Sequence, residues 1–362
     1  MRLFITGANG FIGTHLTEGI LSGSDWTISA FDVCDENVSS YRRNPRYRFR
    51  RGDIFTDDEY LRAEIRESDV VLSLAGIAKP AYYLKKPLWT FELDFEQNLK
   101  IVRMCADEAK RLVFPSTSEV YGMSQDEELL EDESPLITGP VTKQRWIYSC
   151  AKQMMDRVVV AYGVERGLDY TLFRPFNWIG PRLDSFRDAA ERTARSVTQM
   201  IYDVLYRGTI SLVGGGTNKR SFLWIGDAVE ALITVIADER GRASRQIFNI
   251  GNPAGNASIR ELAETILHVM REFPSMREAA KRTKLEVIEP EAYYQEGYED
   301  MKNRVPCIRK IETLLGWAPR TSLEEAIRRT LRYYEERGVY LDGAKSPSRG
   351  EPSFRREGGC VR

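Results

Sequence analysis

Residues 2–13 read Arg2-Leu3-Phe4-Ile5-Thr6-Gly7-Ala8-Asn9-Gly10-Phe11-Ile12-Gly13, a short apolar run set directly against three glycines at equal spacing. The apolar run predicts a buried strand over 2–6, and the residues after the glycines predict a helix to about residue 22. Glycines between a strand and a helix have a specific use: without side chains, the backbone of Gly7, Asn9, Gly10, Phe11, Ile12 and Gly13 can approach a pyrophosphate. The helix start then offers free N–H groups and a positive dipole end. A second strand is predicted over 26–31, and it ends in Asp32, about twenty residues past the glycines, where a carboxylate accepts hydrogen bonds from ribose hydroxyls and repels a 2′-phosphate. Gly52-Asp53-Ile54 follows a third strand-like stretch, which puts Asp53 and Ile54 beside an adenine. The expected cofactor is NAD rather than NADP.

Strands and helices continue to alternate outward from this start. Residues 69–76 read as a fourth strand emerging at Ala75 into a loop over 77–87, and 88–109 as one long helix. A fifth strand, 111–115, runs into Ser116-Thr117-Ser118-Glu119, and a sixth, 170–175, ends in Pro175. Strictly alternating elements predict an α/β, Rossmann-like, doubly wound parallel sheet, with ligands beyond the carboxyl ends of the strands. Gly7, Asp32, Ala75, Ser118 and Pro175 all fall at such ends and converge on one crevice. The helix predicted over 144–166 carries Tyr148 and Lys152 at i and i+4, on one face. A phenol has an ordinary pKa of about 10, and a neighbouring ammonium favours its anion. The spacing is common by itself, and the glycine motif and Asp32 are what give it weight.

Beyond residue 176 the pattern is mixed. A loop is expected over 177–182, helices over 191–207, 226–238, 258–271, 308–315 and 323–337, and strands over 210–213, from 219, and over 284–289. Ser258 with Glu261 reads as a capping box. The expected organisation is a nucleotide-binding domain over 1–176 with a returning segment at about 220–252, and a smaller mixed C-terminal substrate lobe over 177–219 and 253–340. Residues 344–362 are expected to form a disordered tail.

The chain has 362 residues, 42% hydrophobic and 29% charged, with a net charge of −1, which suits a globular protein and gives no basis for nucleic-acid or membrane binding. The N-terminus enters the glycine motif at once, leaving no room for a signal peptide, so a cytoplasmic location is expected. Two histidines, His15 and His268, and five scattered cysteines argue against a His-based triad and against any metal site.

The glycine motif, Asp32, the Ser/Thr strand end and Tyr148-x-x-x-Lys152, in this order, resemble the extended short-chain dehydrogenase/reductase family, which contains nucleotide-sugar epimerases, 4,6-dehydratases and decarboxylases. Phe91-Glu92-Leu93-Asp94-Phe95-Glu96-Gln97-Asn98, the run 114–122, and Phe173-Arg174-Pro175-Phe176-Asn177-Trp178-Ile179-Gly180-Pro181-Arg182-Leu183-Asp184 are most similar to the UDP-glucuronate decarboxylase domains of the bifunctional polymyxin-resistance proteins; UDP-xylose synthases come next. The resemblance implies that Tyr148 takes the C4 hydroxyl proton with Lys152 beside it, and that Ser118 and Thr117 bond the C4 oxygen. It also implies that Glu119 and Arg304 manage the sugar carboxylate and the C5 enolate. Ser118-Glu119 stands where 4,6-dehydratases carry Asp-Glu, so the acid needed to eliminate water is missing. The implied reaction is oxidative decarboxylation of UDP-glucuronate to a UDP-4-keto-pentose or UDP-xylose; a 4-epimerase or 4,6-dehydratase is the alternative. Tyr83, Arg145 and Tyr298 match sugar- or uridine-pocket positions, and Asn177, Arg182, Arg195 and Arg220 the diphosphate and nucleotide side, although Arg220 equally suits a strand ion pair. Ser211 departs from the Lys of the relatives. The implied assembly is a homodimer or higher homo-oligomer through the 88–109 and Tyr148 helices.

Overall fold

The structure is a computed structural model that describes residues 1–289 and 304–338. Six strands, β1 (Arg2–Thr6), β2 (Thr27–Asp32), β3 (Tyr47–Arg51), β4 (Val70–Ser73), β5 (Arg111–Pro115) and β6 (Tyr170–Pro175), occupy the positions expected for them. Four short strands follow: β7 (Trp178–Ile179), β8 (Thr209–Val213), β9 (Lys219–Ser221) and β10 (Leu223–Trp224). A further strand, β11 (Gln246–Ile250), closes the sheet as a seventh member, in the order β11-β6-β5-β4-β1-β2-β3. Every pairing in it is parallel. Strands with helices on both faces have no side open to water, which is why β1, β4 and β5 are almost continuously buried.

Among the helices, α1 (Phe11–Gly23), α2 (Asp58–Glu67), α3 (Pro80–Lys85), α4 (Pro87–Phe91) and α5 (Asn98–Asp107) precede the Tyr148 helix, α6 (Ile147–Arg166). The loop expected over 77–87 therefore contains a helix. Pro80 and Pro87 each sit in the first turn of a helix, where the missing N–H costs nothing. The single helix expected over 88–109 is interrupted by a π-helical turn, Glu92–Gln97, a wide turn that helices tend to keep at working sites.

The helix expected over 191–207 starts only at Ser196, and a break separates it from an unexpected short helix, α7 (Phe186–Ala190); it forms α8 (Ser196–Tyr202), which runs into a π turn at Asp203–Arg207. The break has a local cause: the Asp184 carboxylate accepts from the Arg195 backbone N–H at 2.8 Å, diverting that donor from a helical ladder. Next come α9 (Ile225–Ile236) and α10 (Ile259–Met270). Ser258 caps α10 with Glu261 completing the box, as the sequence predicts.

Two short strands, β12 (Asn256–Ser258) and β13 (Lys284–Ile288), pair with β9 and β8. The lobe core gathers Val197, Ile201, Leu212, Leu262, Ile266 and Ile327. Ile308, Ile311, Leu315 and Trp317 pack instead with Leu16, Ile20 and Leu232 in the core of the sheet's α1 side. The chain thus returns to the large sheet after building the lobe. Among the described residues no helix is long and apolar enough to cross a membrane.

Candidate active site

A crevice of about 1750 Å³ runs along the carboxyl ends of the strands and takes in every described candidate residue at its wall. At one end lies the turn between β1 and α1. Gly7 has φ +70°, and a Cβ there would stand 2.6 Å from the backbone of Leu74 and Ala75, so only glycine fits. The cradle is thus a surface of backbone on which a pyrophosphate can rest against the start of α1. Asp32 closes it from β2. Its carboxylate accepts from the N–H groups of Asn9 (2.9 Å) and Cys34 (3.2 Å). Burial pushes this carboxyl up while those donors pull it down. Asn9 is tied in turn to Asn37, whose backbone N–H donates to Asn9 Oδ1 at 2.7 Å. Asp53, Ile54, Ala75 and Pro175 line the same length of crevice. A shape with no room for Cβ atoms and a carboxylate at the ribose position suits a dinucleotide.

In the middle stands α6. The Tyr148 ring is buried and lies flat on the Tyr83 ring, with centroids 4.5 Å apart and planes 7° apart. Burial, then the charge of Asp94, push the Tyr148 phenol above its ordinary value; a hydrogen bond with Thr117 and the charge of Arg195 work the other way. The sequence predicts an acidified phenol, and the protein alone produces the opposite. Burial is the larger reason, and the company Lys152 keeps adds to it. Its ammonium is 3.2 Å from Asp94 Oδ1, donates to the Pro115 carbonyl at 3.2 Å, and lies 5.0 Å over the Phe114 ring. Much of its positive field is therefore spent on a buried carboxylate. Asp94 comes from the π turn and received no role from the sequence. The available signal was a carboxylate between Leu93 and Phe95 in a helix facing the core, since buried acids are rare unless paired.

Next to Tyr148, the turn after β5 is capped by Thr117, whose Oγ1 accepts from the Glu119 N–H at 3.2 Å. Ser118 is buried in that turn and faces the crevice. The Glu119 carboxylate sits between two buried guanidinium groups. Arg145 donates to Oε2 at 2.5 Å, and Arg304 bonds Oε1 from 185 positions away. Burial raises the Glu119 carboxyl, but Arg304 and Arg145 outweigh it and hold the group far below the usual carboxylate range. The Arg304 backbone is fixed as well: its carbonyl accepts from Ser221 Oγ at 2.9 Å, and the Val305 carbonyl accepts from the Leu129 N–H at 2.8 Å.

The lobe forms the far wall. Asn177, with φ +36°, places its Nδ2 3.4 Å from the Ser221 carbonyl. Arg195 makes a forked contact with Asp184, with Nη2 to Oδ1 at 3.0 Å, and Arg220 on β9 donates to the Lys219 carbonyl at 2.7 Å. Arg182, assigned to a diphosphate by resemblance, is turned toward α1, 3.0 Å from Glu18 and 3.4 Å from His15 Nδ1. Burial lowers His15 to about 4, so the ring is neutral and can share the guanidinium's surroundings without repulsion. Ser211 lies on β8 at the crevice wall. Tyr298 lies outside the described residues. The sequence gives no sign of one further contact. Lys79, in the loop after β4, reaches across the crevice mouth to Asp188 on α7, Nζ to Oδ1 2.8 Å, with both residues buried.

Comparison with known proteins agrees with this layout. A family model described as the NAD dependent epimerase/dehydratase family matches residues 3–251. The PbgP3 protein of Burkholderia pseudomallei is 43% identical over 94% of this chain and 98% of its own, with a TM-score of 0.84. The dTDP-glucose 4,6-dehydratase DesIV of Streptomyces venezuelae, solved with NAD and TYD bound, is 25% identical over 95% of this chain and 100% of its own, TM-score 0.78. The UDP-glucuronic acid 4-epimerase of Bacillus cereus, in complex with UDP-glucuronic acid and NAD, shares the fold at 21% identity over 93% of this chain and 99% of its own, TM-score 0.76.

Proposed function

The chain belongs to the NAD-dependent epimerase/dehydratase family, and from that premise we propose that it decarboxylates UDP-glucuronate oxidatively. Its cofactor is NAD, held by the Gly7 turn and Asp32, and the chemistry NAD supplies is the uptake of hydride from the sugar's C4. The observation that carries the proposal is the pair Arg145 and Arg304 beside Tyr148. Two guanidiniums already holding one carboxylate form a subsite for another, and UDP-glucuronate presents a carboxylate on C5, next to the carbon oxidised. An epimerase or dehydratase acting on neutral hexoses has no use for that charge.

Tyr148 removes the C4 hydroxyl proton as the C4–H bond gives up hydride, leaving a ketone at C4. Thr117 and Ser118 hold the C4 oxygen. The sugar carboxylate is now β to a ketone, so the C5–carboxylate bond breaks with its electron pair entering the C5–C4 enolate, and carbon dioxide leaves. Arg304, positioned by Ser221 and Leu129, stabilises the enolate oxygen as charge moves onto it. A proton delivered to C5 completes the UDP-4-keto-pentose; return of hydride to C4 gives UDP-xylose instead. Glu119 exchanges its arginine contacts with the incoming carboxylate and becomes available to the C5 proton. Exposed Leu88, Met154 and Val164 on the two neighbouring helices favour a homodimer as the working form.

Incubation with UDP-glucuronate and NAD, with evolved carbon dioxide measured and nucleotide products resolved by mass, tests the reading. The expected product has lost the carboxyl carbon. An unchanged mass with an epimerised sugar, or loss of water from a UDP- or dTDP-hexose without carbon dioxide, would replace it with the epimerase or dehydratase reading.

A further inference from the structure

The Asp94–Lys152 contact is built from four separate features. The π turn at Glu92–Gln97 turns Asp94 inward, to 1% exposure. Its Oδ1 meets the Lys152 ammonium at 3.2 Å, and its Oδ2 accepts the Ile77 backbone N–H at 3.0 Å. Residue 76 is glycine, and a Cβ there would stand 2.7 Å from Asp94 Oδ1. One carboxylate therefore joins the lysine of α6 to the loop that leaves β4 at the middle of the crevice. A buried ammonium without a partner is costly, and a loop bonded to the same carboxylate moves with it.

We propose that Asp94 is a positioning residue for the Tyr148–Lys152 pair: it fixes the ammonium and the 76–77 loop in one geometry and sets the pH range over which Tyr148 serves as base. The inference rests on Tyr148 being the base of the proposed oxidation. The groups facing the phenol are Lys152 on its own helix, Asp94 from the π turn, Glu119 and Thr117 from the turn after β5, Arg195 at the start of α8, and the Tyr83 ring from α3. Lys152 faces Asp94, Asp156 on its own helix, the Pro115 carbonyl and the Phe114 ring. Asp94 is the negative charge common to both lists, and among the described residues its ion-pair partner is Lys152, whereas Glu119 and Asp156 each bond an arginine.

A negative charge removed from beside two ionisable groups lowers the pKa of both, because the anion of one is no longer repelled and the cation of the other no longer attracted. Asp94→Asn keeps the shape and the acceptor for Ile77. Its pH profile for sugar oxidation should therefore move bodily to lower pH, both limbs by about one unit. The phenolate absorbance lost on adding Tyr148→Phe to each protein should titrate at correspondingly lower pH. Asp94→Ser, smaller and uncharged, should move both readouts the same way, and it covers the case in which the amide cannot be accommodated. Limbs that stay in place above a reduced plateau, or that move to higher pH, would overturn the assignment and leave Asp94 a packing role only. Should the wild type release no carbon dioxide from UDP-glucuronate, the decarboxylase reading fails by itself, and the limbs are then read on oxidation of UDP-glucose.

Discussion

Replacing Glu119 by Gln tests the arginine pair most directly. The substitution keeps volume but removes the charge between Arg145 and Arg304, whose side chains are only 2% and 4% exposed. Deleting one partner of a buried ion pair costs about 3–5 kcal/mol. The Glu119 side chain retains 17% exposure to the crevice, so water screens part of the loss, and about 3 kcal/mol is expected. For a protein of this size that corresponds to a fall of about 4 °C in Tm. Ligand should then reverse the loss selectively. A bound carboxylate restores the missing charge, so UDP-glucuronate should raise the Tm of Glu119→Gln by several degrees more than UDP-glucose does at equal saturation, whereas in the wild type the two shifts should be similar. The pH dependence carries a sign. Glu119 sits below its unfolded value of about 4.3, so its contribution is complete above that pH and is lost as pH falls toward its depressed folded value. The wild type should lose its advantage over Glu119→Gln on acidification from pH 5 downward. Differential scanning fluorimetry across pH and ligand supplies all three readings. Equal melting temperatures of the two proteins at pH 7, or equal stabilisation of the variant by both sugars, would refute the claim that these arginines form a carboxylate subsite.

Tyr148→Phe should lower sugar oxidation at least about a hundredfold while leaving NAD affinity by calorimetry within about twofold, since the hydroxyl is lost and the ring stack on Tyr83 stays. Arg304→Ala should abolish carbon dioxide release while NADH absorbance still develops; equal loss of both would confine Arg304 to substrate binding. Asp32→Ala, which also strips acceptors from Asn9 and Cys34, should weaken NAD by about tenfold or more and narrow the preference over NADP, so an unchanged NAD affinity removes it from the ribose site. Lys79→Met and Asp188→Asn each cut the Lys79–Asp188 ion pair and should speed nucleotide release in stopped flow by a similar factor, about tenfold; unaltered release rates would make that bridge irrelevant to closure.

Much of the molecule is legible in the chain because its instructions are local. Apolar runs of strand length, the glycine turn and the Ser258 capping box act over a few residues, and alternation of strand and helix leads to a parallel sheet with its crevice at the carboxyl edge. Tyr148 and Lys152 were found for the same reason, since four positions on a helix always share a face. The resemblance supplied Glu119 and Arg304, which no spacing rule connects.

The electrostatic character of the site was decided by folding. Lys152 reads as a partner for Tyr148 until the π turn brings Asp94 to its other side. Glu119 becomes a strongly held anion because a segment 185 positions away passes beside it. Arg182, expected on a diphosphate, is drawn to Glu18 and His15 of α1, and Lys79 finds Asp188 across the crevice. A sequence lists charges in order along a line, but Coulomb interactions fall off with distance in space and strengthen where water is excluded. Which carboxylate faces which cation, and at what burial, is therefore fixed only when the sheet, the π turn and the lobe have closed on one another.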